Sequence, residues 1–289
     1  MKILSVNAHQ FEKMPKYQLQ RNLESTECEL FILEQKDKWN KKLLKKFFVT
    51  SGEYFSNKLY TINALADLEA LKDIEELVVP EELFALDDEI QGFTMPFIEK
   101  NVNLKILLSS DFTSLTKKIS ALKDIGNILK KIIKHPELQD YFFLGDIHEG
   151  NFIYDVERKM YRVVDLDSAK IGDNSPSMAK YLTTNKNLKN LPQKYPLNEQ
   201  EIHISNESTM ILSYIYMVLN TIAKINVSKL SIDEYYSYLG YLKDQGVSLE
   251  LVELFSKIYA KGKNKIDIEL LDSIPTQNSK ILTYESFKR

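Results

Sequence analysis

The chain has a single cysteine, Cys28, in 289 residues. An internal disulfide is therefore excluded, and a reducing, cytoplasmic setting is expected. The four histidines, His9, His135, His148 and His203, are scattered, so with one cysteine they offer no zinc spacing. An excess of charge of one sign is also missing. The 38 basic and 41 acidic residues nearly cancel, to −3, which leaves no electrostatic footprint for DNA or RNA, and no nucleic-acid partner is expected. Long apolar runs are absent as well. The most apolar stretch, "MILSYIYMVLNTIA" from Met210 to Ala223, is too short to span a bilayer and carries Ser213, Asn220 and Thr221. It reads as a buried core helix, and no membrane partner is expected. The start, "MKILSVNAHQFEKMPK", is too polar for a signal peptide. Tandem repeats and low-complexity tracts are not seen.

What is present is a globular composition, 44% hydrophobic and 27% charged. The first hundred residues are strand-rich with one helix. "CELFILEQ" and "KKLLKKFFV" flank a polar turn, "KDKWN", as a hairpin. "SNKLYTINALADLEALKDI" places Leu59, Ile62, Leu65, Ala66 and Leu68 at helical spacing. "LVVPEELFAL" and "IQGFTMPFI" form a second hairpin around "DDE", with Pro80 at a strand start or edge. From about Asn103 the pattern turns helical. Leu115, Ile119, Leu122, Ile125, Leu129 and Ile132 make one stripe, ended by His135-Pro136. A strand pair then interrupts the helices. The polar stretch "TNKNLKNLPQKYPLNEQ" reads as loop, and helices resume from about Asn206.

The interruption carries the chemistry. "GDIHEGN" ends at Asn151, "NFIYD" and "MYRVVDLD" read as strands around the turn "VERK", and Asp165 closes the second strand. If the strands pair, Asp146, Asn151 and Asp165 meet at one end of the hairpin. Two carboxylates and an amide oxygen are hard donors of the kind that hold Mg²⁺ together with phosphates. A carboxylate set slightly aside can accept a proton from an attacking hydroxyl. The plainer alternative is that Asp146 and Asn151 cap turns and Asp165 ends a strand.

An Asp, four residues, an Asn, a hairpin and a second Asp resemble the catalytic core of the protein-kinase-like superfamily. The resemblance implies an α+β, two-lobed protein-kinase-like fold, with a small α/β N-lobe over residues 1–97 and a mainly helical C-lobe over 98–289. It implies ATP and Mg²⁺ as cofactors, Asp146 as catalytic base, and Asn151 and Asp165 as metal ligands. "KKLLKKFF" is similar to the third strand of the small lobe, which makes Lys45 the phosphate-contacting lysine, with Lys46 as the alternative register. The helix acid paired with that lysine would be Glu69, or Asp67. "GFTMPFIE" resembles the strand between lobes, with Met95 at the back of the adenine pocket and Phe97 and Ile98 offering backbone groups to the base. His148, where typical protein kinases have lysine, either contacts the γ-phosphate or shapes the loop.

The departures from the family pattern are specific. "LESTECELFIL", where a glycine-rich loop is usual, has no glycine, and Cys28 stands at a glycine position as a small buried residue. Leu144-Gly145 replaces His-Arg, Asp167 stands where Gly or a second acid is found, and Thr209 stands about where the helix near Ser208 usually has aspartate. "GDIHEGN" resembles aminoglycoside- and choline-kinase-like or atypical kinases more than typical protein kinases. The resemblance therefore implies an atypical bacterial protein kinase, with a small-molecule kinase as the alternative and either a protein or a small-molecule hydroxyl as acceptor. A pseudokinase acting as a binding module is the reading from another class.

Overall fold

The computed structural model describes residues 1–19, 27–34, 41–174, 207–256 and 268–289. The "KDKWN" turn and the polar stretch from Thr184 to Gln200 lie outside the described residues.

The N-terminal part is a mixed six-stranded sheet with helices, and the C-terminal part is mainly helical. The sheet runs β1 (Lys2–Val6), β5 (Glu82–Leu86), β6 (Glu89–Pro96), β4 (Lys42–Phe47), β3 (Cys28–Leu33) and β2 (Lys16–Gln18) in spatial order. β3 and β4 pair antiparallel, as do β5 and β6, so both expected hairpins form. The second turns through Asp87 and Asp88, both at positive φ. β1 joins β5 in parallel, a pairing that alternation alone did not reveal. It places β5 inside the sheet, and Pro80 falls before the strand rather than at an edge.

The sheet buries both faces. On one, Phe47, Phe55, Ile62, Leu83, Phe93, Met95 and Cys28 pack together. They join the sheet to α2 (Gly52–Asp67), whose buried residues fall at 55, 58, 61, 62 and 65. On the other, Phe31, Leu33, Leu44 and Phe84 receive Phe11 from α1 (Ala8–Lys13), a helix beyond the one expected. Along β4 successive side chains alternate between the faces. Leu43 and Phe47 pack on the α2 side with Lys45 between them, and Leu44 packs on the other side.

β4 and β6 approach each other closely where Lys46 faces Gly92. A Cβ at Gly92 would sit 2.0 Å from the Lys45 carbonyl oxygen, so only glycine fits. Gly92→Ala is expected to cost about 2–3 kcal/mol by forcing the strands apart beneath Lys45. Urea denaturation measures this, and a loss below about 0.5 kcal/mol, the scale of an ordinary surface change, would contradict it.

Beyond the sheet the chain forms β7 (Asn101–Asn103), α3 (Leu104–Ser109) and α4 (Leu115–Lys134). α4 starts at the cap Ser114, whose hydroxyl accepts from the Lys117 amide, and stops at His135. Next come β8 (Phe142–Phe143), β9 (Phe152–Asp155), β10 (Met160–Val163) and β11 (Lys170–Ile171). β9 and β10 are the expected hairpin, and β7 adds a third strand beside β9. The helical core is built on α4, α5 (Glu207–Ala223), α6 (Ile232–Asp244) and α7 (Leu249–Ser256). The short α8 (Tyr284–Lys288) closes against α6 through Tyr238, Tyr241 and Phe287. The apolar stretch Met210–Ala223 lies within α5, with Thr209 also buried. Among the described residues no helix is long and apolar enough to cross a membrane.

Candidate functional site

Pairing of β9 with β10 sets Phe152 opposite Val163. One further ladder bond, from the Val164 amide to the Asn151 carbonyl (2.9 Å), carries the register to the end of the hairpin. The Asn151 amide group donates to the Asp146 main-chain carbonyl (2.9 Å), leaving the Asn151 Oδ1 as an acceptor. Asp146, Asn151 and Asp165 all line one small cavity of about 10 Å³, room for roughly one water-sized particle. The three residues singled out in the sequence do converge.

The loop between Asp146 and Asn151 is shaped by His148. Its Nδ1 accepts from the Gly150 amide (3.0 Å), and its Nε2 lies 3.4 Å from Asp146 Oδ2. Since Nδ1 accepts, the ring proton belongs on Nε2, facing the carboxylate. A Cβ at Gly150 would lie 2.7 Å from the imidazole, so the glycine admits the ring. His148 thus makes a loop-shaping hydrogen bond and sets its Nε2 beside the Asp146 carboxylate.

Asp165 is in the left-handed region, φ 66° and ψ 46°, a conformation that aspartate tolerates at some cost and that marks functional positions. The turn aims its carboxylate at Lys45, with which it forms an ion pair. Lys45 also donates to both oxygens of Asp167, at 2.9 and 3.0 Å. Lys46 turns away to Glu29 (3.5 Å), so the register that puts Lys45 in the site is the one formed.

The acid expected from the helix is not there. α2 ends at Asp67, Leu68 is extended, and Glu69 begins a separate 3-10 turn, Glu69–Asp73. This break takes Glu69 off the face that meets β4. It pairs with Lys72 (2.6 Å) on the surface, and Asp67 lies exposed 3.8 Å from the Met1 amine. The α2 residue that faces the site is Lys58, which donates to Asp167 Oδ2 (3.0 Å) and Glu27 Oε2 (2.7 Å). Tyr54 completes the row with its hydroxyl on Glu27 (2.6 Å). The result is an alternating chain of charge, Asp165, Lys45, Asp167, Lys58, Glu27. Lys58 was discoverable in the sequence, as a lysine within the apolar stripe 55–58–62–65. Asp167 was noted there only as a departure, and its bridging role was not.

The electrostatics divide the two aspartates. Asp167 is 0% exposed. Burial alone would raise its pKa, but Lys45 and Lys58 outweigh that and hold it well below the carboxylate range. Asp165, with its side chain 39% exposed, is pushed up to about 6, by burial first and next by the charge of Asp167, with Lys45 opposing. Lys45 is held well above its ordinary value because Asp165 and Asp167 outweigh its burial. Asp167 is thus the fixed counter-ion of the two lysines, and Asp165 is the carboxylate that can meet a ligand.

Around the end of β6, Met95 belongs to the core cluster against which Ile98 packs, while Phe97 is not among that cluster's residues. Met95 is buried in the core between sheet and α2. The Phe97 amide is consumed by the Lys41 carbonyl (3.1 Å) because the β4–β6 ladder extends beyond Pro96, and the Ile98 carbonyl accepts from Asn101 (2.6 Å). Phe97 and Ile98 line a different and much larger cavity of about 970 Å³.

Among the described residues, no group of three or more His, Cys, Asp or Glu side chains is placed to hold a metal by itself. The donor set at the small cavity fits a hard cation whose remaining ligands come from phosphate oxygens. Asp165 contributes an accessible carboxylate and Asn151 an amide oxygen. No protein-family model matches this chain, and no curated protein matches it.

Proposed function

We propose that this chain is an ATP- and Mg²⁺-dependent phosphotransferase of the protein-kinase-like type, which passes the γ-phosphoryl group to a hydroxyl on a protein or a small molecule. The observation that carries the reading is the contact of Asp165 with Lys45 across 120 residues of sequence, at a cavity that Asn151 and Asp146 also line. A strand lysine and a hairpin carboxylate that meet in this way support a cation site beside a phosphate-binding ammonium. Asp165 and Asn151 would hold Mg²⁺, which when bound neutralises phosphate charge. Lys45 would contact the phosphates, Asp146 would accept the hydroxyl proton, and His148 would orient Asp146.

Asp165→Asn is expected to lower Mg-ATP affinity at least about tenfold with the fold intact, since an amide does not offset the cation's charge as a carboxylate does. Calorimetric titration of both proteins tests this, and equal affinities would remove Asp165 from the site. Incubation with radiolabelled ATP and lysate fractions then separates acceptors, because label appears either in macromolecules or only in small molecules.

A second reading, a binding module without turnover, is favoured by one observation. The hydrogen bonds of the Lys45 ammonium among the described residues go to Asp165 and Asp167, so a phosphate would compete with these carboxylates for it.

A further inference from the structure

The cavity of about 970 Å³ is lined by none of Lys45, Asp146, Asn151 and Asp165. It opens between the end of α2, the segment entering β5, the strand end at Pro96 and the β9–β10 hairpin. Its size is that of a small-molecule site. We infer that it binds a small organic acid, a carboxylate on an apolar body, through Arg162. This inference goes beyond the phosphotransfer reading and does not depend on it.

Arg162 lines this cavity and is 8% exposed. Its Nε is buried and makes no hydrogen bond among the described residues. Its ion pair is loose: Nη1 lies 3.6 Å from Asp155 Oδ2. Asp155 spends its other oxygen on the amides of Glu157 and Arg158, at 3.0 and 3.1 Å. A buried guanidinium with an orphaned Nε and one loose ion pair is an under-satisfied cation beside the cavity. The other cations of the wall are already matched. Lys41 is held by Glu99, Lys42 by Glu81 and Glu82, Lys72 by Glu69, and Arg158 by Glu75, while Lys2 is exposed.

The class of anion follows from the same wall. Guanidinium presents two parallel donors to a planar carboxylate. Arg162 is itself partly balanced by Asp155, so the charge it still offers suits a monoanion better than a phosphate dianion. Leu71, Ile74, Val79 and Pro96 supply an apolar surface for the rest of the molecule.

The test is calorimetric titration of the full chain, without nucleotide, using hexanoate, hexanamide and inorganic phosphate as probes. Hexanoate is expected to bind saturably, one per chain, with hexanamide at least about tenfold weaker, as befits a lost charge-assisted pair. Arg162→Met should lower hexanoate affinity by a similar factor. Val79→Trp, which narrows the apolar wall and leaves Arg162 in place, should weaken binding, and it decides the matter if Arg162→Met does not fold. Absence of saturable hexanoate binding, equal binding of hexanamide, or unchanged binding in Val79→Trp overturns the inference. Phosphate bound through Arg162 in place of hexanoate overturns the carboxylate assignment. Because no nucleotide is present, these results stand whether or not the chain transfers phosphate.

Discussion

Replacing Asp146 by alanine is expected to cut phosphoryl transfer by roughly a hundredfold or more, the scale of a lost general base, with Mg-ATP affinity nearly unchanged. The geometry separates the two effects. The bond that ties Asn151 to Asp146 uses the main-chain carbonyl, which alanine retains, so the Asn151 amide, a candidate metal ligand, keeps its place. The charge on Lys45 is balanced by Asp165 and Asp167, and neither is touched. What is lost is the carboxylate beside His148 Nε2, which would meet the acceptor rather than the nucleotide. The change therefore falls on the transition state and not on ground-state binding. Single-turnover transfer of labelled phosphate, set beside calorimetric affinities, measures both quantities. A wild-type chain that transfers phosphate with an equally fast Asp146→Ala variant would place the chemistry elsewhere. A wild-type chain that binds Mg-ATP and transfers to no acceptor would favour the binding-module reading.

The largest effect on stability is expected at Asp167, not at the candidate metal ligand. Asp167→Asn leaves two buried ammonium groups, Lys45 and Lys58, without the carboxylate they share. Breaking a buried ion network in this way should cost on the order of 3 kcal/mol. Asp165→Asn should cost far less. The folded protein holds Asp165 above its ordinary pKa, near 6, so its ionised form is disfavoured by folding. Its contribution to stability thus falls as pH rises from the unfolded value toward 6, because burial of its charge outweighs the attraction of Lys45. Urea denaturation at pH 7 of both variants tests the asymmetry. Lys58→Met combined with Asp167→Asn should be less destabilised than the two single losses added, because the coupling is lost only once. Asp165→Asn as damaging as Asp167→Asn would mean that the two carboxylates share the lysines equally.

Much of this molecule was decided by patterns that act over a few residues. Helical spacing set α4 and its stop at His135. Alternation set the β3–β4 and β5–β6 hairpins and put Lys45 rather than Lys46 on the inward face, because neighbours in a strand point to opposite sides. The β9–β10 hairpin, and hence the meeting of Asn151 with Asp165, follows from two short apolar runs around one turn. The parallel pairing of β1 with β5 spans some eighty residues and leaves no local mark, so only the folded chain decides it. The same holds for the charge row from Asp165 to Glu27. The family resemblance pointed to Glu69, or Asp67, as the partner of Lys45, but α2 stops at Asp67 and Glu69 turns to solvent. Tertiary packing instead brings Asp167 between Lys45 and Lys58, from positions more than a hundred residues away. Buried charge must be neutralised wherever the fold puts it, and which acid does so is a property of three-dimensional proximity that no local pattern encodes.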